Sequence, residues 1–107
     1  MNILKEIENI GIIPVVCIND SAKAENLAKA LIDGGLPAAE ITFRTDAAED
    51  SIRKISAAYP EMAVGAGTVL TIGQADAAVK AGAKFIVSPG FNPKVVSWCV
   101  GNDIPVL

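Results

Sequence analysis

Regular alternation of strand-forming and helix-forming stretches restricts the fold of this chain more than any other feature of its sequence. Each apolar, strand-like stretch is followed by an amphipathic, helix-like stretch that ends at glycine or proline. The expected strands are residues 12–18, 39–45, 62–70 and 85–88, and residues 104–107 look like the first residues of a fifth. Short connections between such units predict an α/β fold with a parallel sheet, either doubly wound or closed into a barrel.

The helix starts are predicted from side chains that can cap a first turn. A first helix is expected at about residues 2–9, before Gly11, and the third helix should turn Ile52 and Ile55 inward. The expected capping residues of the later helices are Asp20 with Ser21, the stretches 46–49 and 71–74, and Asn92 before Pro93.

Length, composition and charge narrow the class of protein. The chain has 107 residues, enough for one domain, and apolar residues make up 51% of it. Its net charge is −3 and its lysines are scattered, so nucleic acid is not an expected partner. No apolar run is long enough to cross a bilayer, and the N-terminal residues lack the apolar stretch of a signal peptide. A cytoplasmic protein without membrane contact is expected.

The cysteine and histidine counts limit the chemistry further. The chain contains no histidine, so histidine-dependent triads and histidine metal sites are excluded. Cys17 and Cys99 are too few for a disulfide framework, and both are expected to be free thiols in the core. The sequence therefore predicts neither a metal site nor a cofactor.

An acid and a base share one side of the second expected strand. In an extended conformation Glu40, Thr42 and Arg44 point to the same face, and Ile41 and Phe43 point to the other. A carboxylate and a guanidinium are each costly to desolvate alone, so they either form an ion pair at the strand end or serve a site. Desolvation should raise the pKa of Glu40 and Arg44 should lower it.

A glycine-rich stretch follows in the third expected strand. Gly65 and Gly67 do not begin a dinucleotide fingerprint, because Leu70 occupies the third glycine position. They either let the backbone approach a small ligand, with the Thr68 hydroxyl beside it, or simply relieve crowding. Polar or glycine residues also end the second and fourth strands, where parallel α/β folds place their active sites.

Four of these stretches together resemble a known family. Residues 11–16, 40–45, 64–70 and 86–90 match, in order and spacing, the N-terminal part of the 2-keto-3-deoxy-6-phosphogluconate (KDPG) / 4-hydroxy-2-oxoglutarate (KHG) aldolases. The resemblance covers essentially the whole chain. It implies a domain, residues 1–107, that forms the N-terminal half of a TIM-type barrel, with about four strands and the start of a fifth. It also implies a homo-oligomer, a trimer in the family, that needs no cofactor.

The resemblance implies a reaction and roles for four residues. The family cleaves a 2-keto-4-hydroxy acid to pyruvate and an aldehyde through a lysine Schiff base. Glu40 is similar to the residue that moves protons, through water, during imine formation and carbon–carbon cleavage. Arg44 and Thr68 resemble the groups that hold the substrate carboxylate, and Pro89 resembles the apolar wall near the pyruvyl methyl.

The Schiff-base lysine of the family lies on the sixth strand and is not expected among these residues, so this chain alone should be inactive. Lys84, for example, precedes the fourth expected strand and lies at the wrong end of it. Two other functions remain open. One is a non-catalytic half-barrel assembly module in which Glu40 and Arg44 only pair, and the other is a different phosphosugar-handling barrel enzyme, such as an isomerase or epimerase.

Overall fold

Three parallel strands form the sheet in the part of the chain that the structure describes. A computed structural model describes residues 2–107. In it β1 (Val15–Val16), β2 (Ala38–Thr42) and β3 (Ala63–Gly67) lie side by side in chain order. The register pairs Val15 with Glu40, and Glu40 with Gly65. Helices connect successive parallel strands, as the alternation predicts.

Six helical segments accompany the sheet in residues 2–107. They are α1 (Ile3–Ile10), a 3₁₀ turn (Ser21–Lys23), α2 (Ala24–Asp33), α3 (Ala48–Ala58), α4 (Ile72–Ala81) and α5 (Pro93–Gly101). The Asn2, Thr71 and Asn92 side chains cap α1, α4 and α5 respectively. Left-handed glycines end α1 and α4, where a residue with a side chain would be strained.

The sheet continues beyond β3 by single-residue contacts, which corrects the expected strand lengths. Ile86 bridges Ala66 of β3 in parallel, and Val106 bridges Ile86 in the same way. β3 ends at Gly67 because Thr68 leaves the extended conformation (φ 54°), and Pro105 has no N–H with which to extend the pairing beside Val106. β1 is also shorter than residues 12–18, and among the described residues it pairs with β2 alone.

Two expected caps are also corrected. The stretch 46–49 does not form a capping box, because Ala47 already has a helical backbone and no side chain caps α3. Asp20 accepts a hydrogen bond from the Ala22 N–H at 3.0 Å, so it caps the 3₁₀ turn that leads into α2 rather than α2 itself.

The two faces of the sheet pack against different elements. Ile41 and Val64 lie on the face that packs against α2–α5, where Ile52 and Ile55 of α3 are buried as predicted. The opposite face carries a smaller cluster with α1: Ile3, Ala38, Ala63 and Phe85. Glu40 belongs to this second face by its register with Gly65. It is therefore placed on the side of the sheet that a barrel would enclose.

The cysteines differ from the prediction in one respect. Both are free thiols, but Cys17 is exposed at the end of β1, and only Cys99 lies in the core. Burial raises the pKa of the Cys99 thiol. By the period of two, Cys17 lies on the same face as Val15, which is 63% exposed although it lies within β1, so this face is open at both residues.

Gly65 gives the first testable prediction. A Cβ at this position would overlap the ring of Phe85, which is fully buried on the inner face. We expect Gly65→Ala to lower the free energy of unfolding by about 1–3 kcal/mol, because the buried ring must be displaced. Chemical unfolding measures this change.

Gly101→Ala is the matched control for this prediction. A Cβ at Gly101, in the last turn of α5, meets no atom within 4 Å. The substitution should therefore be neutral or slightly stabilising. Equal stability of the Gly65→Ala protein and the unsubstituted protein would contradict the packing described for Phe85.

Candidate active site

Glu40 lies on β2 with its carboxylate against the backbone of β3. The residue is half-buried. Its side chain crosses Gly67, so that a Cβ built on Gly67 would be 2.5 Å from the Glu40 Cδ atom and 2.7 Å from Cγ. The ligand space expected at the two glycines is thus filled by side chains, by the Phe85 ring at Gly65 and by the Glu40 carboxylate at Gly67.

Burial dominates the electrostatics of this carboxylate. Desolvation raises the pKa of Glu40 above its ordinary value, and the positive charge of Arg44 opposes the shift without cancelling it. Among residues 2–107, no ion pair joins Glu40 and Arg44. The ion pair considered for the strand end is therefore not formed.

Arg44 lies beyond the end of β2, in a turn, and it is exposed. The alternation of faces ends at Thr42, the last residue of the strand. Arg44 lines a cleft of about 280 Å³ together with Phe43, Thr45, Asp46, Glu49 and Gln74. Its guanidinium is thus open to an anion from solvent, and it lies near enough to Glu40 for its charge to act on that carboxylate.

Two hydroxyl groups fix this strand end, a role that is not predicted from the sequence. Thr42 donates a hydrogen bond to the Val16 carbonyl at 3.3 Å, and Thr45 donates one to the Ile18 carbonyl. The bonds tie the end of β2 to the last residue of β1 and to the segment that follows it. A threonine before and after Arg44 is the only sequence signal for this anchor.

Thr68 and Pro89 occupy the neighbouring strand ends. Thr68 directly follows Gly67, is half-buried and has a left-handed backbone (φ 54°). Pro89 is exposed and follows Ser88, whose hydroxyl donates to the Val69 carbonyl at 3.0 Å. Within residues 2–107, no hydrogen bond or ion pair joins Pro89 to Glu40, Arg44 or Thr68. The structure therefore groups Glu40 with Arg44 and the Gly67–Thr68 backbone, and leaves Pro89 at the rim.

Six of the seven lysines in the described chain lie in helical segments, and within residues 2–107 no hydrogen bond or ion pair joins a lysine to Glu40, Arg44 or Thr68. Hydrogen bonds to Asp33 and Asp76 raise the pKa values of Lys29 and Lys80 and keep both amines protonated. Lys84 donates to the Pro60 carbonyl at 2.7 Å, at the amino end of the neighbouring strand. The remaining lysines lie on α1 (Lys5), the 3₁₀ turn (Lys23), α3 (Lys54) and α5 (Lys94).

The described part of the chain contains neither a candidate metal cluster nor a candidate membrane-spanning helix. From residue 2 to residue 107, no three histidine, cysteine, aspartate or glutamate side chains are grouped so as to hold a metal ion. No helix in the same range has both the length and the apolar character that crossing a membrane requires.

The opposing effects on Glu40 predict how it titrates. Replacing Arg44 with glutamine removes the effect that lowers the pKa of Glu40, so this pKa should rise further. Carboxyl ¹³C NMR titration of Glu40 measures the shift directly. Arg53→Gln is the matched control, because Arg53 is exposed on α3 and pairs with Glu49 and Asp50 instead.

The same pKa shift fixes the sign of the effect on stability. Because the folded-state pKa of Glu40 is raised, its contribution to stability is full below the unfolded-state pKa and is lost as pH rises through the folded-state pKa. A Glu40 pKa that falls, or stays unchanged, in Arg44→Gln would contradict the assigned electrostatics.

Comparison with known proteins gives one family. The sequence model "KDPG and KHG aldolase" matches residues 3–107. A curated relative, the 2-dehydro-3-deoxy-phosphogluconate aldolase of Treponema pallidum, is 45% identical over 107 residues, which are 100% of this chain and 51% of the relative. The chain therefore spans about half the length of this relative.

Solved structures agree with the sequence match. The 2-keto-3-deoxy-6-phospho-gluconate aldolase of Zymomonas mobilis is 37% identical with a TM-score of 0.84, covering 94% of this chain and 50% of that one. The KDPG aldolase of Legionella pneumophila, whose structure holds pyruvate as a covalent carbinolamine, is 37% identical with a TM-score of 0.85, covering 89% and 46%. The prediction of the N-terminal half of a TIM-type aldolase fold is confirmed. The chain belongs to the KDPG and KHG aldolase family.

Proposed function

We propose that the protein containing this chain is an aldehyde-lyase that cleaves KDPG or KHG to pyruvate and an aldehyde through a lysine Schiff base. The observation that carries the proposal is the half-buried Glu40 carboxylate, which lies across Gly67 without an ion-pair partner in the described chain. The pyruvate carbinolamine of the Legionella pneumophila relative supports a keto acid substrate and covalent chemistry.

Glu40 would carry the protons of this reaction. Imine formation from a carbinolamine expels water, which needs a proton, and cleavage of the carbon–carbon bond needs the 4-hydroxyl proton to be removed. A carboxyl group whose pKa is raised by burial holds and releases a proton nearer to neutral pH than an exposed one. Glu40 can therefore donate in one step and accept in the next, through water.

Arg44, Thr68 and Pro89 would hold the substrate. The exposed Arg44 guanidinium can offer two parallel donors to the carboxylate of the keto acid, and the Thr68 hydroxyl can add a third. Pro89 would supply an apolar contact near the pyruvyl methyl, at the rim of the same strand ends. These contacts would fix the keto acid in one orientation beside Glu40.

The nucleophilic lysine would come from a part of the protein outside these residues. This follows from the positions of the seven lysines, since each lies on a helix or at the amino end of the sheet. The 107 residues would then form the N-terminal half of one barrel domain.

The proposal extends to the cytoplasm and to association of identical copies. Two unpaired thiols suit a reducing compartment. Large apolar side chains are exposed, including Phe91 at 82% and Val100 at 66%, and such side chains suit an interface. A homo-oligomer, a trimer as in the family, would cover part of this surface.

Replacing Glu40 with glutamine tests the proposed proton transfer. In the enzyme that combines this chain with its Schiff-base lysine, kcat for retro-aldol cleavage should fall by about 10²–10⁴-fold. KM should change little, because Arg44 and Thr68 would still hold the substrate. Coupled detection of pyruvate release measures both constants. Glu8→Gln is the control, since Glu8 is an exposed carboxylate on α1 paired with Lys5. A Glu40→Gln enzyme with unchanged kcat would refute the role.

The placement of the lysines is tested by reductive capture. Incubation of these 107 residues with pyruvate and borohydride should give no covalent adduct, because the lysines of the described chain lie in helical segments or at the amino end of the sheet and none bonds to Glu40, Arg44 or Thr68. Intact-mass spectrometry reads the result, with a Schiff-base aldolase as positive control. A mass increase equal to one reduced pyruvyl group would show that a lysine of this half is the nucleophile.

A further inference from the structure

The orientation of Glu40 is fixed by shape rather than by hydrogen bonds. Between residues 2 and 107, no side-chain or backbone group donates a hydrogen bond to its carboxylate. Its register neighbours, Val15 on β1 and Gly65 on β3, are uncharged, and Arg44 is the charged group that acts on it. The contact that defines the position of the carboxylate is the one with the bare backbone of Gly67.

The backbone at Gly67 is held on both sides. Gly67 pairs with Thr42 in the β2–β3 register, and its carbonyl accepts a hydrogen bond from the Phe43 N–H at 2.8 Å. Two residues later, the Val69 N–H donates to the Val87 carbonyl at 3.2 Å. The backbone after Gly67 is therefore also held from the other side, by the segment that contains Ile86 and Val87. A side chain added at 67 would therefore be met by movement of Glu40, not by movement of β3.

We propose that Gly67 is a positioning residue for the candidate active site: its missing side chain is the space that keeps the Glu40 carboxylate inside the strand ends, next to Thr68. The inference rests on the proposed function, in which Glu40 carries protons. With a methyl group at 67, the carboxylate would swing toward solvent and away from the reacting atoms. A displacement of about 1 Å can cost roughly 10²-fold in rate.

Alanine substitutions at Gly65 and Gly67 distinguish an effect on the position of Glu40 from an effect on the stability of the fold. The atoms that a Cβ at Gly67 would meet are the far end of a flexible glutamate, which can rotate away at little cost. The atoms that a Cβ at Gly65 would meet are the ring of the buried Phe85, which cannot. Gly67→Ala should therefore move the Glu40 carboxylate and leave the stability of the fold nearly unchanged. Gly65→Ala should lower the stability and leave the Glu40 carboxylate in place.

The first readout is the titration of Glu40 itself. In Gly67→Ala, carboxyl ¹³C NMR should show the pKa of Glu40 moving down toward its ordinary value, because the carboxylate regains water. Thermal unfolding should be nearly unchanged. In Gly65→Ala, the melting temperature should fall while the Glu40 pKa stays raised. An unchanged Glu40 pKa in a folded Gly67→Ala protein would overturn the proposal.

The second readout covers the case in which Gly67→Ala does not fold. The double variant Gly67→Ala/Glu40→Ala removes the side chain that the new methyl would meet, so it should fold if the overlap is with Glu40. Failure of the double variant to fold would place the obstruction elsewhere and overturn the inference. Recovery of folding would support it.

The kinetic readout keeps this inference distinct from the proposed function. In the complete enzyme, Gly67→Ala should lower kcat by about 10²-fold with little change in KM. If Glu40→Gln leaves kcat unchanged, the proposed function fails, whereas the NMR result on Gly67 still stands. If Glu40→Gln lowers kcat and Gly67→Ala does not, only the positioning role fails.

Discussion

The arrangement of the candidate site depends on two residues without side chains on the inner face of β3, Gly65 and Gly67. Gly65 and Gly67 alternate on that face, and each space is filled from a neighbouring strand position, by Phe85 on one side and by Glu40 on the other. A parallel sheet that curves toward a barrel has little room on its concave face, so large groups must be offset by small ones. Here the two glycines make room for an apolar ring, that of Phe85, and for a half-buried acid, Glu40.

The alternating pattern predicted the elements because capping and burial act locally. Thr71 and Gly82 begin and end α4 as their types require, and Ile52 and Ile55 lie in the core because the helical period puts them on one face. Strand lengths were not predictable in this way. They depend on pairing with neighbours distant in sequence and on the left-handed turn at Thr68, and nothing in the stretch 62–70 specifies that backbone conformation.

The candidate site was predictable in its members and less so in its geometry. The period of two in an extended strand predicted that Glu40 and Arg44 lie on one face of the sheet. Because β2 ends at Thr42, this alternation of faces does not extend to Arg44. The sequence identified burial and Arg44 as opposing influences on the pKa of Glu40. Which of them is larger depends on how deeply β3 covers the carboxylate, and this is a tertiary property.

The unequal exposure of the two charged groups suits their proposed tasks. A group that binds a carboxylate from solution must be reachable before the substrate is bound, and the turn after β2 leaves the Arg44 guanidinium exposed. A group that both takes and gives protons needs a raised pKa, and partial burial against Gly67 provides it. If the two formed a tight ion pair, the pKa of Glu40 would fall and the guanidinium would be occupied. The hydroxyls of Thr42 and Thr45 hold the strand end by bonding to backbone carbonyls, so neither charged group is needed to fix it. Both charges are thereby left free for a ligand.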